Sequence, residues 1–296
     1  SECLVGSEMC IRDRYYMEII LGKTAGFCNG ITRAVETAKE ELKNTENIEC
    51  LGDLLHNEQV LSKLKENGLT IINDIKEAKK RVLIRAHGVK KGVYEYAKQN
   101  NIEIVDCTCP KVLKIHNLAE ELSNKDYYII VVGEKTHAEV IGTFSFCKNG
   151  EIIENIEQLQ ARIDDLNKKE KLAVLTQTTY NLQKFLEIEK YLKEHIKTQL
   201  EINNGICNAT ETRQKETEEI SKNVEFMVII GGKKSSNTNK LYEISQENCK
   251  KAIKIEEVSE LYNEDLDNIS KIGVMAGAST PKESIEEVIK YLKERN

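Results

Sequence analysis

The chain repeats itself three times, and this repetition limits its fold more than any other feature of its 296 residues. One unit is a cysteine that opens a helix: GFCNGITRAVETAKEEL around Cys28, DCTCPKVLKIHNLAEEL around Cys109 and GICNATETRQKETEEI around Cys207. Each follows an apolar, strand-like segment, namely MEIILG, IEIVD and the weaker TQLEI. A second unit, a strand with a polar tip feeding a helix, comes about 28 residues after each cysteine. Its tips are His56 with Asn57, His137 with Glu139, and Ser235, Ser236 and Asn237. A third unit, RVLIRAHGVKKGVYEYAKQ, KLAVLTQTTYNLQKFLEIEKYLKE and KIGVMAGASTPKESIEEVIKYLKE, has tips at His87, at Thr178 with Thr179, and at Ser279. The linking segments LTIINDIKEA, EIIENIEQL and AIKIEEVSEL each read as a short strand entering a helix.

Strands alternating with helices of this length imply parallel sheets covered by helices. The expected fold class is therefore α/β, with three pseudo-threefold-related domains, each built on a small parallel sheet, around a central site. The boundaries are 30–109, 110–204 and 205–296, the last taking in the strand within 15–29. That strand is placed there because IEIVD and TQLEI close the first two repeats, whereas the third ends in a helix with no strand after it. Pro110 and Pro281 each fall just inside an expected helix start, where a missing N–H does no harm. Ligands of parallel sheets bind beyond the carboxyl ends of the strands, so the tips are expected to converge.

The composition narrows the function. Lys and Arg are scattered through a chain of net charge -6, which offers no electrostatic footprint for nucleic acid. The longest apolar runs, YYIIVVG and FMVIIGG, are far shorter than the roughly 18 residues of a membrane span. Residues 1–14, SECLVGSEMCIRDR, follow no period and join abruptly to MEIILGKTAGFC, so they read as a non-native leader, and Cys3 and Cys10 are set aside with it. The other seven cysteines are odd in number and widely spaced, which argues for a reducing, cytoplasmic setting rather than a disulfide framework.

A thiolate is favoured at a helix N-terminus, where Cys28, Cys109 and Cys207 all fall. Soft thiolates select zinc, copper(I) or iron–sulfur clusters, and three widely separated single cysteines suit a cluster with one open iron better than a four-ligand zinc site. Cys50, Cys147 and Cys249, outside the repeat phase, read as small buried apolar groups. His56, His87, His137, the hydroxyls and Asn237 beside helix N-termini make an anion site suited to phosphate oxygens, although Ser235, Ser236 and Ser279 taken singly are explained as helix caps. Glu139 is the only carboxylate among these tips; as a buried acid it could deliver a proton, and as an exposed first-turn residue it would only favour the helix dipole.

The motifs GFCNGITRAV, LHNEQV, RAHGV, DCTCPKV, THAEVIGT, TQTT, ICNATETRQ, SSNTNKL and AGASTP run in order from residue 17 to about 290. In them the chain closely resembles the 4-hydroxy-3-methylbut-2-enyl diphosphate reductase family of the methylerythritol phosphate route to isoprenoids. The resemblance implies a trefoil of α/β domains around one four-iron four-sulfur cluster on Cys28, Cys109 and Cys207. It implies diphosphate and substrate contacts from His56, His87, His137, Thr178, Ser235, Ser236, Asn237 and Ser279, and a proton from Glu139, by way of Thr178. Two electrons from a ferredoxin or flavodoxin and two protons would expel water and give isopentenyl and dimethylallyl diphosphates.

This chain departs from the family in having Cys107, where the family has a small residue. In an extended strand positions i and i+2 share a face, so both thiols of CTC are candidates; Cys109, directly before Pro110, is favoured because it caps the helix. The rival readings are a quinolinate synthase-like enzyme, whose carboxylate substrate would call for an arginine-rich site, and a non-enzymatic iron–sulfur electron carrier, which would have no use for an anion clamp.

Overall fold

The runs YIIVV and FMVII lack polar alternation, and a strand with that pattern is stable only when both its faces are covered. The computed structural model, which describes residues 17–295, makes each of them a central strand of a small parallel sheet. The leader expected over 1–14, with Cys3 and Cys10, lies outside the described residues.

The chain enters through β1 (Glu18–Leu21) and α1 (Asn29–Asn44), whose buried Ile31, Ala34, Val35 and Ala38 follow helical spacing. The first sheet comprises β2 (Ile48–Leu51), β3 (Leu69–Ile72), β4 (Arg81–Ile84) and β5 (Glu103–Asp106) in the order β3-β2-β4-β5, with helices α2 (Glu58–Glu66) and α3 (Lys91–Gln99). After α4 (Pro110–Asn124), the second sheet is built from β6 (Tyr128–Val132), β7 (Gly150–Ile153), β8 (Lys171–Thr176) and β9 (Gln199–Asn203) in the order β7-β6-β8-β9. Its helices are α5 (Ala138–Phe144), α6 (Ile156–Leu166) and α7 (Leu182–His195). The third sheet follows α8 (Asn208–Ser221) and holds β10 (Phe226–Ile230), β11 (Lys251–Ile255) and β12 (Lys271–Ala276), flanked by α9 (Ser236–Asn248) and α10 (Lys282–Glu294).

In that third sheet the order is β11-β10-β12-β1, so β1 occupies the edge that β5 and β9 hold in the other two. Its register runs from Glu18 opposite Lys271 to Leu21 opposite Val274, parallel like every strand pair among the described residues. The fold is thus three parallel sheets of one strand order with flanking helices.

Alternation along the central strands builds two cores per sheet. In the second, Ile130, Val132, Leu172 and Val174 pack with Leu159 and Phe185, while Ile129, Val131, Ala173 and Leu175 pack with Ile115, Ala119 and Leu122 on the opposite face. Truncating a fully buried ring such as Phe185 to alanine costs roughly 3–5 kcal/mol, enough to threaten a single layer. Two details differ from the sequence reading. The linkers of the first and third repeats end in 3-10 turns, Ile75–Glu77 and Val258–Leu261, each closed by a capping box, and only the second continues into a true helix, α6. Pro110 is the first residue of α4, but Pro281 sits at the cap of α10, one residue before the first helical turn.

Candidate active site

The three repeat cysteines are bound into the fold in the same way. Each is the N-cap of its helix, α1, α4 or α8, and uses no side-chain capping bond. Each donates its backbone N–H to the carbonyl at one matched position of a third-unit tip: Cys28 to Ala278 at 3.2 Å, Cys109 to Ala86 at 2.9 Å and Cys207 to Thr178 at 3.1 Å. The thiols face one cavity, which the three cysteines line together with all nine of the other predicted residues. Gly30 lies beneath them: a Cβ there would stand 2.8 Å from Cys109 Sγ and 3.9 Å from Cys28 Sγ.

Cys107 does not line this cavity; it is 1% exposed and packs with Cys50 in the core of the first sheet, where burial pushes its thiol up to about 12. The two thiols of CTC therefore do not share a face. The strand ends at Asp106, whose carboxylate accepts the Thr108 N–H at 2.8 Å, and that turn sends the residues around it apart. A second expectation also gives way. The Cys109 thiol accepts the N–H groups of Lys111 and Val112, which lower its pKa, yet burial outweighs them and the net shift is upward.

The other tips cap helices as well. Asn57 accepts the Val60 N–H at 3.0 Å, His137 Nδ1 accepts the Glu139 N–H at 3.2 Å, and Ser235 accepts the Thr238 N–H at 3.3 Å. His56, His87 and His137 cluster with ring centroids 4.4, 5.5 and 6.1 Å apart. Burial is the main cause that lowers all three pKa values, His137 to about 4 and His87 well below the ordinary range; the Arg85 guanidinium adds to it at each ring, and neighbouring imidazoles add to it at His87 and His137. Neutral His137 has its Nδ1 lone pair engaged, so it carries its proton on Nε2 and can donate there without a charge.

His87 Nδ1 and both side-chain polar atoms of Asn237 are buried with no hydrogen-bond partner among the described residues. Gly88, at φ +73°, makes the left-handed turn after His87 that a residue with a Cβ would adopt only under strain. Two of the hydroxyls are already committed: Ser236 donates to Glu134 at 3.0 Å and accepts from Gln177 at 3.1 Å, and Ser279 donates to the His56 carbonyl at 3.1 Å.

Glu139 is 2% exposed, which removes the exposed first-turn reading. Thr178 donates its backbone N–H and its hydroxyl to the carboxylate. Both bonds favour the anion, but burial prevails and raises the pKa to about 7.

Sequence reasoning missed Arg213, Thr210 and the Gln177, Glu134 and Lys240 network behind Ser236. Arg213 and Thr210 line the cavity. A signal existed: Thr210, Arg213, Gln214, Thr217 and Ser221 are all buried and follow helical spacing, a polar stripe where an apolar one is usual. Lys233, two residues before Ser235, does not line the cavity and pairs with Glu260 at 3.0 Å on the surface.

Three repeated parallel-sheet layers, with thiols, imidazoles and a buried acid brought to one central cavity, define an α/β enzyme whose site is assembled from all three repeats. The family model described as LytB protein matches residues 19–293, and the chain belongs to this family. It is 41% identical over 285 residues to 4-hydroxy-3-methylbut-2-enyl diphosphate reductase of Caldanaerobacter subterraneus subsp. tengcongensis, covering 94% of this chain and 97% of the relative. The reductase of the same name from Clostridioides difficile is 40% identical over 281 residues, with 94% and 99% covered.

Among solved structures, E-1-hydroxy-2-methyl-but-2-enyl-4-diphosphate reductase from Plasmodium falciparum is similar at a TM-score of 0.86 and 30% identity, over 94% of this chain and 88% of that one. A structure of (E)-4-hydroxy-3-methyl-but-2-enyl diphosphate reductase, named there as the terminal enzyme of the non-mevalonate pathway, gives 0.68 and 35%, over 94% and 99%. These relatives are reductases, so neither the quinolinate synthase-like reading nor the electron-carrier reading is favoured.

Proposed function

We propose that the chain reduces 4-hydroxy-3-methylbut-2-enyl diphosphate to isopentenyl and dimethylallyl diphosphates, and that Cys28, Cys109 and Cys207 hold one four-iron four-sulfur cluster. The observation that carries this reading is the single cavity shared by three thiols, three imidazoles and one buried acid. The donor set fits such a cluster: the ligands are soft thiols on helix starts, and Gly30 keeps the helix surface bare beside two of them. When bound, the cluster supplies the electrons and a Lewis-acidic iron for the substrate hydroxyl.

The chain's own residues do the rest. The Nε2–H of His137, the unpartnered His87 Nδ1 and the amide of Asn237 provide polar groups, uncharged before a ligand binds, toward phosphate oxygens, joined by His56, Ser235, Ser236 and Ser279. Ser236 and Ser279 contribute by turning their hydroxyls away from Glu134 and the His56 carbonyl. Glu139, whose pKa burial raises to about 7, holds the proton for the departing oxygen. The Thr178 hydroxyl donates to Glu139 at 2.7 Å, and since a hydroxyl can accept as well as donate, it can reverse that bond and pass the proton on. Overall two electrons and two protons are taken up, the C–O bond breaks, and water leaves.

The proposed domains are 30–109, 110–204 and 205–296, the last taking in the strand within 15–29, and the strand order shared by the three sheets supports them. The electron donor is a ferredoxin or flavodoxin. In support, the three cysteines also line an outer groove that contains Lys23, Arg33 and Lys111 but none of the three histidines, which gives a partner a route to the cluster from the far side. The setting is cytoplasmic; no helix among the described residues is long and apolar enough to cross a membrane. Anaerobic reconstitution with iron and sulfide, then assay with the allylic diphosphate and a chemical reductant, tests the reading. About four irons per chain and formation of both products are expected, and failure to consume the substrate with the cluster present would refute it.

A further inference from the structure

Arg213 is a buried cation without a bonded anion. It is 3% exposed, on the polar stripe of α8, six residues after Cys207. Its Nε and one terminal nitrogen donate to the Thr24 carbonyl at 2.9 and 2.6 Å, and that same nitrogen reaches the Gly26 carbonyl at 2.8 Å. The other terminal nitrogen is buried and has no hydrogen-bond partner among the described residues. Glu216, the nearby carboxylate on the same helix, is occupied by the N–H groups of Lys23 and Thr24 and by the Thr24 hydroxyl.

A guanidinium stays charged in proteins, and a buried charge needs a counter-charge and acceptors for all its donors. The charges that reach Arg213 besides Glu216 are those of Cys28 and Cys207. Arg213 also lines the cavity and the outer groove, and the three cysteines line both.

We infer that Arg213 directs its free guanidinium nitrogen at the sulfur set held by Cys28 and Cys207, where it balances the negative charge of the thiolate-bound cluster and eases its reduction. This rests on the proposed cluster and adds a residue that the anion clamp and the proton path do not use. Three thiolates on a cluster leave it anionic, and each added electron increases that charge. A fixed cation and an N–H···S donor raise the potential at which the electron enters. The carbonyl contacts are the means of aim: they leave one end of the planar fork free and fix its direction.

The test compares the reconstituted holoprotein with Arg213→Gln and Arg213→Lys, reading iron content and, by anaerobic redox titration followed by electron paramagnetic resonance, the midpoint potential. Arg213→Gln is expected to hold iron within twofold of wild type and to shift to a more negative potential, with Arg213→Lys recovering part of the shift. An unchanged potential at full iron content in Arg213→Gln would reduce Arg213 to an anchor for residues 24–26. Should Arg213→Gln lose the cluster or fail to fold, Arg213→Lys decides: a retained cluster supports the charge, and a lost one in a natively folded protein overturns it. Wild type that takes up no iron would be a different failure, that of the cluster itself.

Discussion

Thr178 gives Glu139 two hydrogen bonds, its backbone N–H to one carboxylate oxygen at 2.5 Å and its hydroxyl to the other at 2.7 Å. These bonds restrain a pKa that burial has raised to about 7, so the acid is poised where a proton donor works best. As the proposed proton donor, Glu139 must be protonated to act, so kcat/KM should fall as pH rises through about 7. In Glu139→Gln that alkaline limb should vanish and kcat should drop at least tenfold, toward a hundredfold, with iron content unchanged. In Thr178→Val, which keeps the N–H but loses the hydroxyl bond, the limb should move to higher pH. Steady-state rates from pH 6 to 9 check all three.

The histidine cluster makes an opposite demand. His56, His87 and His137 are held neutral by burial, yet they are proposed to meet a diphosphate that would stabilise their protonated forms. Binding should then raise their pKa values and take up protons. The affinity for inorganic pyrophosphate should weaken as pH rises through the raised values. Calorimetry at pH 7 in buffers of different ionisation enthalpy should show net proton uptake, and His87→Asn should diminish it; binding without uptake would leave the rings as neutral donors only.

Much of this arrangement was legible in the sequence, for a physical reason. Strand tips and helix caps are local, so a threefold repeat of them announces where Cys28, Cys109, Cys207 and the polar tips must meet. What depends on side-chain direction was not legible. The turn held by Asp106 carries Cys107 into the core and Cys109 into the cavity, against the face-sharing expected of a strand. Burial rather than the helix dipole sets the Cys109 thiol. The commitment of Ser236 to Glu134 links groups 102 residues apart, and no local pattern reveals such a bond. Arg213 hid in a helix whose buried face is polar.

The two thiols of CTC should separate cleanly on substitution. Cys109→Ser, like Cys28→Ser and Cys207→Ser, should lose most of its iron and sulfide after reconstitution. Cys107→Ser should keep them, at the expense of some stability in the first core. Colorimetric iron and sulfide per folded chain decides it, and the reverse pattern would move the ligand to Cys107.

Acid should destabilise the cluster-free protein well before its ordinary carboxylates titrate. A histidine whose pKa falls on folding binds its proton more readily in the unfolded chain, so stability declines as pH drops from about 6.5 toward about 4. His137 and His116, both near 4, each account for about 3 kcal/mol across that window. His87 and His56 act in the same direction. Glu139 works the other way and recovers about 3 kcal/mol as pH falls from about 7 to 4.5, which offsets one histidine and leaves a net loss. Urea midpoints at pH 7 and pH 5 should show it. His116, stacked on Phe146 with both ring nitrogens unpartnered, lies outside the anion clamp, so His116→Leu should flatten the dependence.

The bare helix surface at Gly30 offers the sharpest separation of folding from cluster assembly. Gly30 is the second residue of α1, and helix formation there would ordinarily favour alanine over glycine by up to about 1 kcal/mol. The Cβ of Gly30→Ala, however, would stand 2.8 Å from Cys109 Sγ, so the thiol must move. That displacement falls on a proposed cluster ligand held by the Lys111 and Val112 N–H groups, and metal–ligand distances are expected to stay within about 0.2 Å of their ideal values. Gly30→Ala should therefore melt at or above the wild-type temperature without metal and take up at most half the iron. Gly92 of α3 is the control, since a Cβ there meets nothing within 4 Å: Gly92→Ala should be as stable or more so and should load fully. Thermal melts of the cluster-free proteins beside iron content after reconstitution make the comparison, and full loading of Gly30→Ala would show that the cysteine helices have room to spare.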